Sequence, residues 1–297
     1  MNLRISRSLV GAVLVASLGL ATPALAAKNT SGVALPAEPK FPKGNAKAYG
    51  LALANYLDAI NKGWVDQYTK STMTLYDSRG DKVVRQTRQL FLEGKDGNKS
   101  ISRFMSPAEI RGVAALTHEH PQATDDTWLY LPASRRIRRI SGANRTASFQ
   151  GTEFSYEDLS TMEPERYHWK FLKNADITTS AGKFKVYQLE AIPSQKDTGY
   201  KRLVLNVNRN HWRVERIDFQ DLNGRKLKTL TFSKHKLLHG RYWRALHMDM
   251  RNHQTQKRTT IHMKSLFLNL SLYKKKGGSA RSNLKDAQFT RRALEGG

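Results

Sequence analysis

The chain has 297 residues, no cysteine, 50 Lys and Arg against 25 Asp and Glu, and a formal net charge of +25. Without cysteine there is no disulfide scaffold and no cysteine to acylate, so a cysteine-acylated product is excluded along with a disulfide-stapled one. A charge this high favours anionic partners such as lipid headgroups, lipopolysaccharide, nucleic acid or an acidic protein surface, and the length allows one large β domain or two small ones.

Residues 1–26 read as a secretory signal peptide. Arg4 and Arg7 precede an apolar run from Leu9 to Leu20 and the small-residue site Ala24-Leu25-Ala26, a pattern too short to span a membrane comfortably. There is no paired arginine here, so general secretion is the expected route. The mature protein is expected to be soluble, unlipidated and exported, which removes access to most nucleic acid despite the charge. Residues 27–44, with Pro36, Pro39 and Pro42, are expected to form a flexible leader.

From Asn45, a suitable N-cap, the apolar residues Tyr49, Leu53, Tyr56, Leu57 and Ile60 recur at helical spacing until Gly63, which predicts one amphipathic helix. The pattern then changes to short alternating runs. Tyr68 to Tyr76 and Val83 to Leu92 flank Asp77-Ser78-Arg79-Gly80, a hairpin signal. Further strands are predicted over 99–105, 128–131, 167–173, 183–192, 200–207, 212–220, 225–237, 242–252 and 256–273. In the last, the apolar set shifts from Ile261 and Met263 to Leu266 and Leu268, so a bulge or bend is expected near Ser265. Roughly eleven strands joined by short turns imply one meandering antiparallel sheet that curls to shield its apolar face. A basic loop, Lys274 to Ser279, precedes a final segment around Phe289.

The search for chemistry finds no nucleophile elbow and no phosphate-binding glycine loop. His118-Glu119-His120 places two histidines on one strand face, but no nearby motif supplies further ligands, so no metal is expected. The acid pairs Asp125-Asp126, Glu157-Asp158 and Glu163/Glu165 are expected to be solvated loop carboxylates. His247, His253 and His262 are expected on the convex face. No enzyme activity and no cofactor are expected.

The most distinctive stretch runs from Trp128 to Leu159. Trp128-Leu129-Tyr130-Leu131-Pro132 leads through Arg135, Arg136, Arg138 and Arg139 to Ser148-Phe149-Gln150-Gly151-Thr152-Glu153-Phe154-Ser155-Tyr156-Glu157-Asp158-Leu159. The arginines admit three readings: an edge strand defended by charge, a site for anionic headgroups or a partner, or a nucleic-acid contact. The whole stretch resembles the LolA-like family of outer-membrane lipoprotein-sorting proteins, with Glu153 where the family's box carries Asp. The resemblance implies a mainly β fold, a half-open β-barrel with covering helices, over residues 45–297. It also implies a periplasmic, chaperone-like carrier that holds the acyl chains of lipoproteins or another lipid in an apolar cavity. The expected partners are an inner-membrane transporter and an outer-membrane acceptor, and no nucleic acid. The alternative is a non-enzymatic accessory of an envelope complex or of a resistance-nodulation-division type exporter. Trp128, Tyr130, Phe149 and Phe154 are the candidate cavity walls, and Arg136, Arg138 and Arg139 the candidate headgroup contacts.

Overall fold

The computed structural model describes residues 36–42, 44–270 and 284–296. The signal segment, part of the leader and the Lys274 to Ser279 loop lie outside the described residues. Helix α1 spans Ala46–Asn61 and starts as expected, with the Asn45 side chain accepting from the Ala48 amide at 3.0 Å. Gly63 follows with φ +94°, a conformation that relieves the helix stop of a Cβ clash. Within the expected leader, Phe41 stacks on Tyr49 at 4.6 Å and packs near Trp212, so at least this residue is tied to the body.

The strands are β1 (Trp64–Tyr76), β2 (Lys82–Leu92), β3 (Lys99–Ser106), β4 (Ala114–His118), β5 (Asp126–Leu131), β6 (Arg136–Ile140), β7 (Tyr167–Thr179), β8 (Gly182–Pro193), β9 (Arg202–Asn208), β10 (Arg213–Gln220), β11 (Lys226–Leu238), β12 (Tyr242–Asn252) and β13 (Arg258–Leu270). They form one sheet in the order β6-β5-β4-β3-β2-β1-β13-β12-β11-β10-β9-β8-β7. All neighbours are antiparallel. Two meanders, β1 to β6 and β7 to β13, therefore meet where β1 pairs with β13, and the outer strands β6 and β7 are left as edges. The sheet is curled and not closed.

The phase change in the last strand is a bulge: Lys70 pairs with Ser265, and the next residue, Ser71, pairs with Met263. Skipping Lys264 returns the leucines to the inner face, where Leu268 is buried.

Two strands exceed the expected eleven. Strand β6 is the arginine run, and it occupies an edge, as one of its three readings had it. Strand β4 has no alternation because both of its faces are covered. Ala115 faces the main core, whereas Ala114 and Leu116 face a second cluster formed with Leu284, Phe289 and Leu294. Those last residues belong to a C-terminal segment ending in the short helix α2 (Arg291–Glu295), which lies on the outer face of the sheet. The segment is tied down by Arg103 donating to the Ala293 carbonyl at 3.0 Å, by Lys99 and Asp286 at 2.8 Å, and by the His118 ring at 2.7 Å from the Phe289 carbonyl.

The connection from edge β6 to edge β7, residues 141–166, has to cross a face of the sheet. It crosses the concave one, where Phe149, Phe154 and Tyr156 join the core.

Candidate functional site: a cavity on the concave face

Strand alternation puts Leu203 and Leu205 of β9, Ile217 and Phe219 of β10, Leu230 and Phe232 of β11 and Met248 of β12 on one inner surface. Helix α1 faces it with Ala54, Leu57, Asp58 and Asn61, the crossing segment adds Phe154, Glu157 and Met162, and the start of β7 adds Tyr167. Between them lies a cavity of about 550 Å³, inside the usual size range of a small-molecule site, roughly 300–1,000 Å³. It exists because α1 stands against β7: Tyr49 stacks on Phe171 at 4.2 Å, and Gly50 lets the helix backbone approach Lys170.

The box from Ser148 to Leu159 is a compact hairpin. The Phe149 amide donates to the Phe154 carbonyl at 2.7 Å, and the turn at Gln150 and Gly151 has positive φ at both residues, 52° and 75°. Arg85 satisfies the Gln150 carbonyl at 2.6 Å. From this hairpin the acids reach out to the sheet. Glu153 accepts from Asn252 at 2.7 Å, Asp158 accepts from Tyr200 at 2.7 Å and from Lys228 at 2.5 Å, and Glu157 accepts from the Gly199 amide and the Thr198 hydroxyl, both at 3.0 Å. The box is thus the fastener that holds the crossing segment inside the curl.

Several carboxylates expected in solvent are instead enclosed, because the crossing segment either carries them inward, as with Glu163, or packs over them, as with Asp125. Asp125 is fully enclosed with Arg166. Burial alone would raise its carboxyl, but the hydrogen bonds and charge of Arg166 outweigh that and hold it below the usual range. Burial pushes Glu157 up to about 7 in spite of its donors, and it does the same to Glu119. Glu163 is buried as well, with its carboxyl raised by burial.

The seven candidate residues separate. Phe154 lines the cavity; Phe149 lies deeper, stacked on Phe104 at 5.5 Å. Trp128 and Tyr130 do not line it. Leu129 takes the inward position on β5, so its neighbours point to the outer face, where they pack with Leu116, Ile137 and the C-terminal segment. Arg138 pairs with Leu129 and Arg136 with Leu131, so both lie on the concave side of the edge strand. Arg139 pairs with Trp128 on the outer side and meets Asp126. The residues that sequence reasoning missed are the alternating apolar positions of β9 to β12. Their periodicity was visible, but it does not distinguish a filled core from a cavity wall.

The neighbouring histidine motif disperses: His118 faces the C-terminal segment, Glu119 accepts from Thr161 and Asn98, and His120 meets Asp126 at 3.1 Å. No group of three or more potential metal ligands is found among the described residues. His247 and His253 bond to Ser233 and Thr229 on the convex side.

A family model described only as uncharacterized-protein-like matches residues 96–295. No curated protein matches. Among solved structures, one described as an outer membrane lipoprotein-sorting protein domain, from Vibrio parahaemolyticus, is 36% identical. The match covers 83% of this chain and 98% of that one, with a TM-score of 0.75. A DUF1329 family protein from Desulfovibrio piger is 26% identical, with 84% and 99% covered and a TM-score of 0.74. A LolA superfamily protein from Nitrosomonas europaea, 19% identical with 82% and 98% covered, shares the fold at a TM-score of 0.61. With that identity over almost the whole of the first relative, the chain belongs to the family of outer-membrane lipoprotein-sorting proteins, and its fold is the one seen in the LolA superfamily protein.

Proposed function

We propose that the protein is a non-enzymatic periplasmic carrier which holds the acyl chain of a lipoprotein or a lipid in the concave cavity. The observation that supports this is the cavity itself: a trough of Leu, Ile, Phe and Met side chains beneath α1 that the described residues leave unfilled. Each buried methylene contributes about 0.8 kcal/mol, so a long acyl chain contributes on the order of 10 kcal/mol before ordering costs. That is enough to hold a lipid in water, and small enough for a membrane or an acceptor to remove it. The family supports the same reading.

Trp128, Tyr130 and Arg139 take no part in this cavity in the proposal. Their place is the docking of the C-terminal segment. Arg136 and Arg138, exposed on the inner side of edge β6, are proposed to meet anionic headgroups or a transporter during loading and release.

Titration of a fluorescent fatty-acid probe tests the carrier reading. The wild type should bind it with about 1:1 stoichiometry, and Leu57→Trp or Phe232→Asp, both at half-buried cavity positions, should weaken binding about tenfold or more while the fold is retained by circular dichroism. A wild type that never binds the probe sinks the reading.

A further inference from the structure

We propose that the cavity is built for an amphiphile with an anionic head, and that Arg244 on β12 is the group that holds the head. The inference rests on the carrier reading and goes beyond it by naming the chemistry of the ligand's polar end.

Arg244 lines the main cavity and also a second hollow of about 270 Å³ beneath the C-terminal end of α1, so it stands where the two meet. Its hydrogen-bond acceptors are all neutral. Nε donates to Gln67 Oε1 at 3.1 Å, and Nη1 donates to Asn61 Oδ1 at 3.1 Å and to the Trp243 carbonyl at 3.0 Å. Nη2 has no acceptor among the described residues. Glu93 attracts the guanidinium from beyond ion-pair distance and accepts from the Gly63 amide at 2.9 and 3.2 Å.

The other arginines of the cavity lining are matched. Arg166 faces Asp125, and Arg145 lies 3.8 Å from Asp125 and 3.7 Å from Asp197. Arg244 is half-buried with no carboxylate at ion-pair distance, an arrangement that costs free energy unless something supplies the opposite charge, and desolvation already depresses its guanidinium to about 10.

A purely structural role as a helix clamp would account for Arg244 only if the helix end needed it. The carbonyls of Ala59, Ile60 and Lys62 are taken by Arg241, at 3.2, 3.3 and 2.9 Å. The free edge of a planar guanidinium, facing an apolar trough, suits a carboxylate or phosphate oxygen.

The test uses the mature protein with cis-parinaric acid and with its methyl ester, which differ only in the charge of the head. Wild type is expected to bind the acid about tenfold or more tightly than the ester, a factor typical of a charge-assisted hydrogen bond. In Arg244→Gln the acid-to-ester ratio should fall to near one, and Arg244→Lys should keep part of the preference. Displacement of the probe by palmitate against lysophosphatidic acid then identifies the anion as carboxylate or phosphate, and stronger displacement by either supports the contact. Equal affinities for acid and ester in wild type overturn the proposal, and so does an Arg244→Gln variant that weakens both alike, which marks a clamp. Should Arg244→Gln fail to fold, the ratio in wild type and in Arg244→Lys carries the same decision. If wild type binds neither probe, it is the carrier reading that fails.

Discussion

Lys228 is almost fully enclosed on the inner face of β11, with its ammonium on Asp158 and on the Glu153 carbonyl and its charge over the rings of Tyr200 and Phe219. Removing one member of such a pair strands the other, which typically costs about 3–5 kcal/mol. Lys228→Met should therefore lower the unfolding free energy by about 3 kcal/mol, measured in urea, and adding Asp158→Asn should recover part of the loss. Additive losses in the double variant would show that the two are not coupled.

Glu157 makes a pH prediction. Its carboxyl is raised from 4.5 to about 7 by burial, so between those values the folded protein keeps a proton that the unfolded chain has released. This contribution to stability is complete below 4.5 and is lost as pH rises through 7. Glu157→Gln, whose amide can donate to the Thr198 hydroxyl, should flatten the fall in melting temperature across that window. An unchanged slope would contradict the assignment. The acids of the crossing segment were legible as residues but not as buried groups, because their enclosure depends on a connection that spans the sheet.

Elements were more legible than faces. The N-cap at Asn45, the hairpin at Gly80 and the bulge beside Ser265 each follow from local chemistry, and each is found where expected. Strand β4 was missed because its period-two signal disappears when the core covers one face and the C-terminal segment the other. The same segment explains Trp128 and Tyr130. Parity along β5 tells which residues share a side, but not which side is concave, and the apolar outer side was hidden by residues more than a hundred positions away. The helix-to-strand contact supplies a test at this scale. A Cβ on Gly50 would sit 2.7 Å from the Lys170 backbone, so Gly50→Ala should push α1 off β7. We expect a loss of about 1–3 kcal/mol, as for overpacking, against the gain of helix propensity that Ala gives elsewhere. A stabilised variant would show that the close approach is absent.

At the scale of the molecule, two meanders meet at β1 and β13, and the long return between their outer edges crosses the inside of the curl. This topology divides the concave face. Phe149 and its neighbours fill the space near Phe104, and the trough under β9 to β12 is left open beneath α1. The sheet's continuity and curl followed from the strand count and short turns; the partition did not, since it depends on where one hairpin sits in three dimensions. Whether the trough carries a lipid is decided by native mass spectrometry of protein gently released from the cells that make it. The wild type should carry a noncovalent adduct of lipid mass, lost on collisional activation and absent from Leu57→Trp. A bare polypeptide mass for the wild type, persisting after incubation with anionic and neutral lipids, would contradict it.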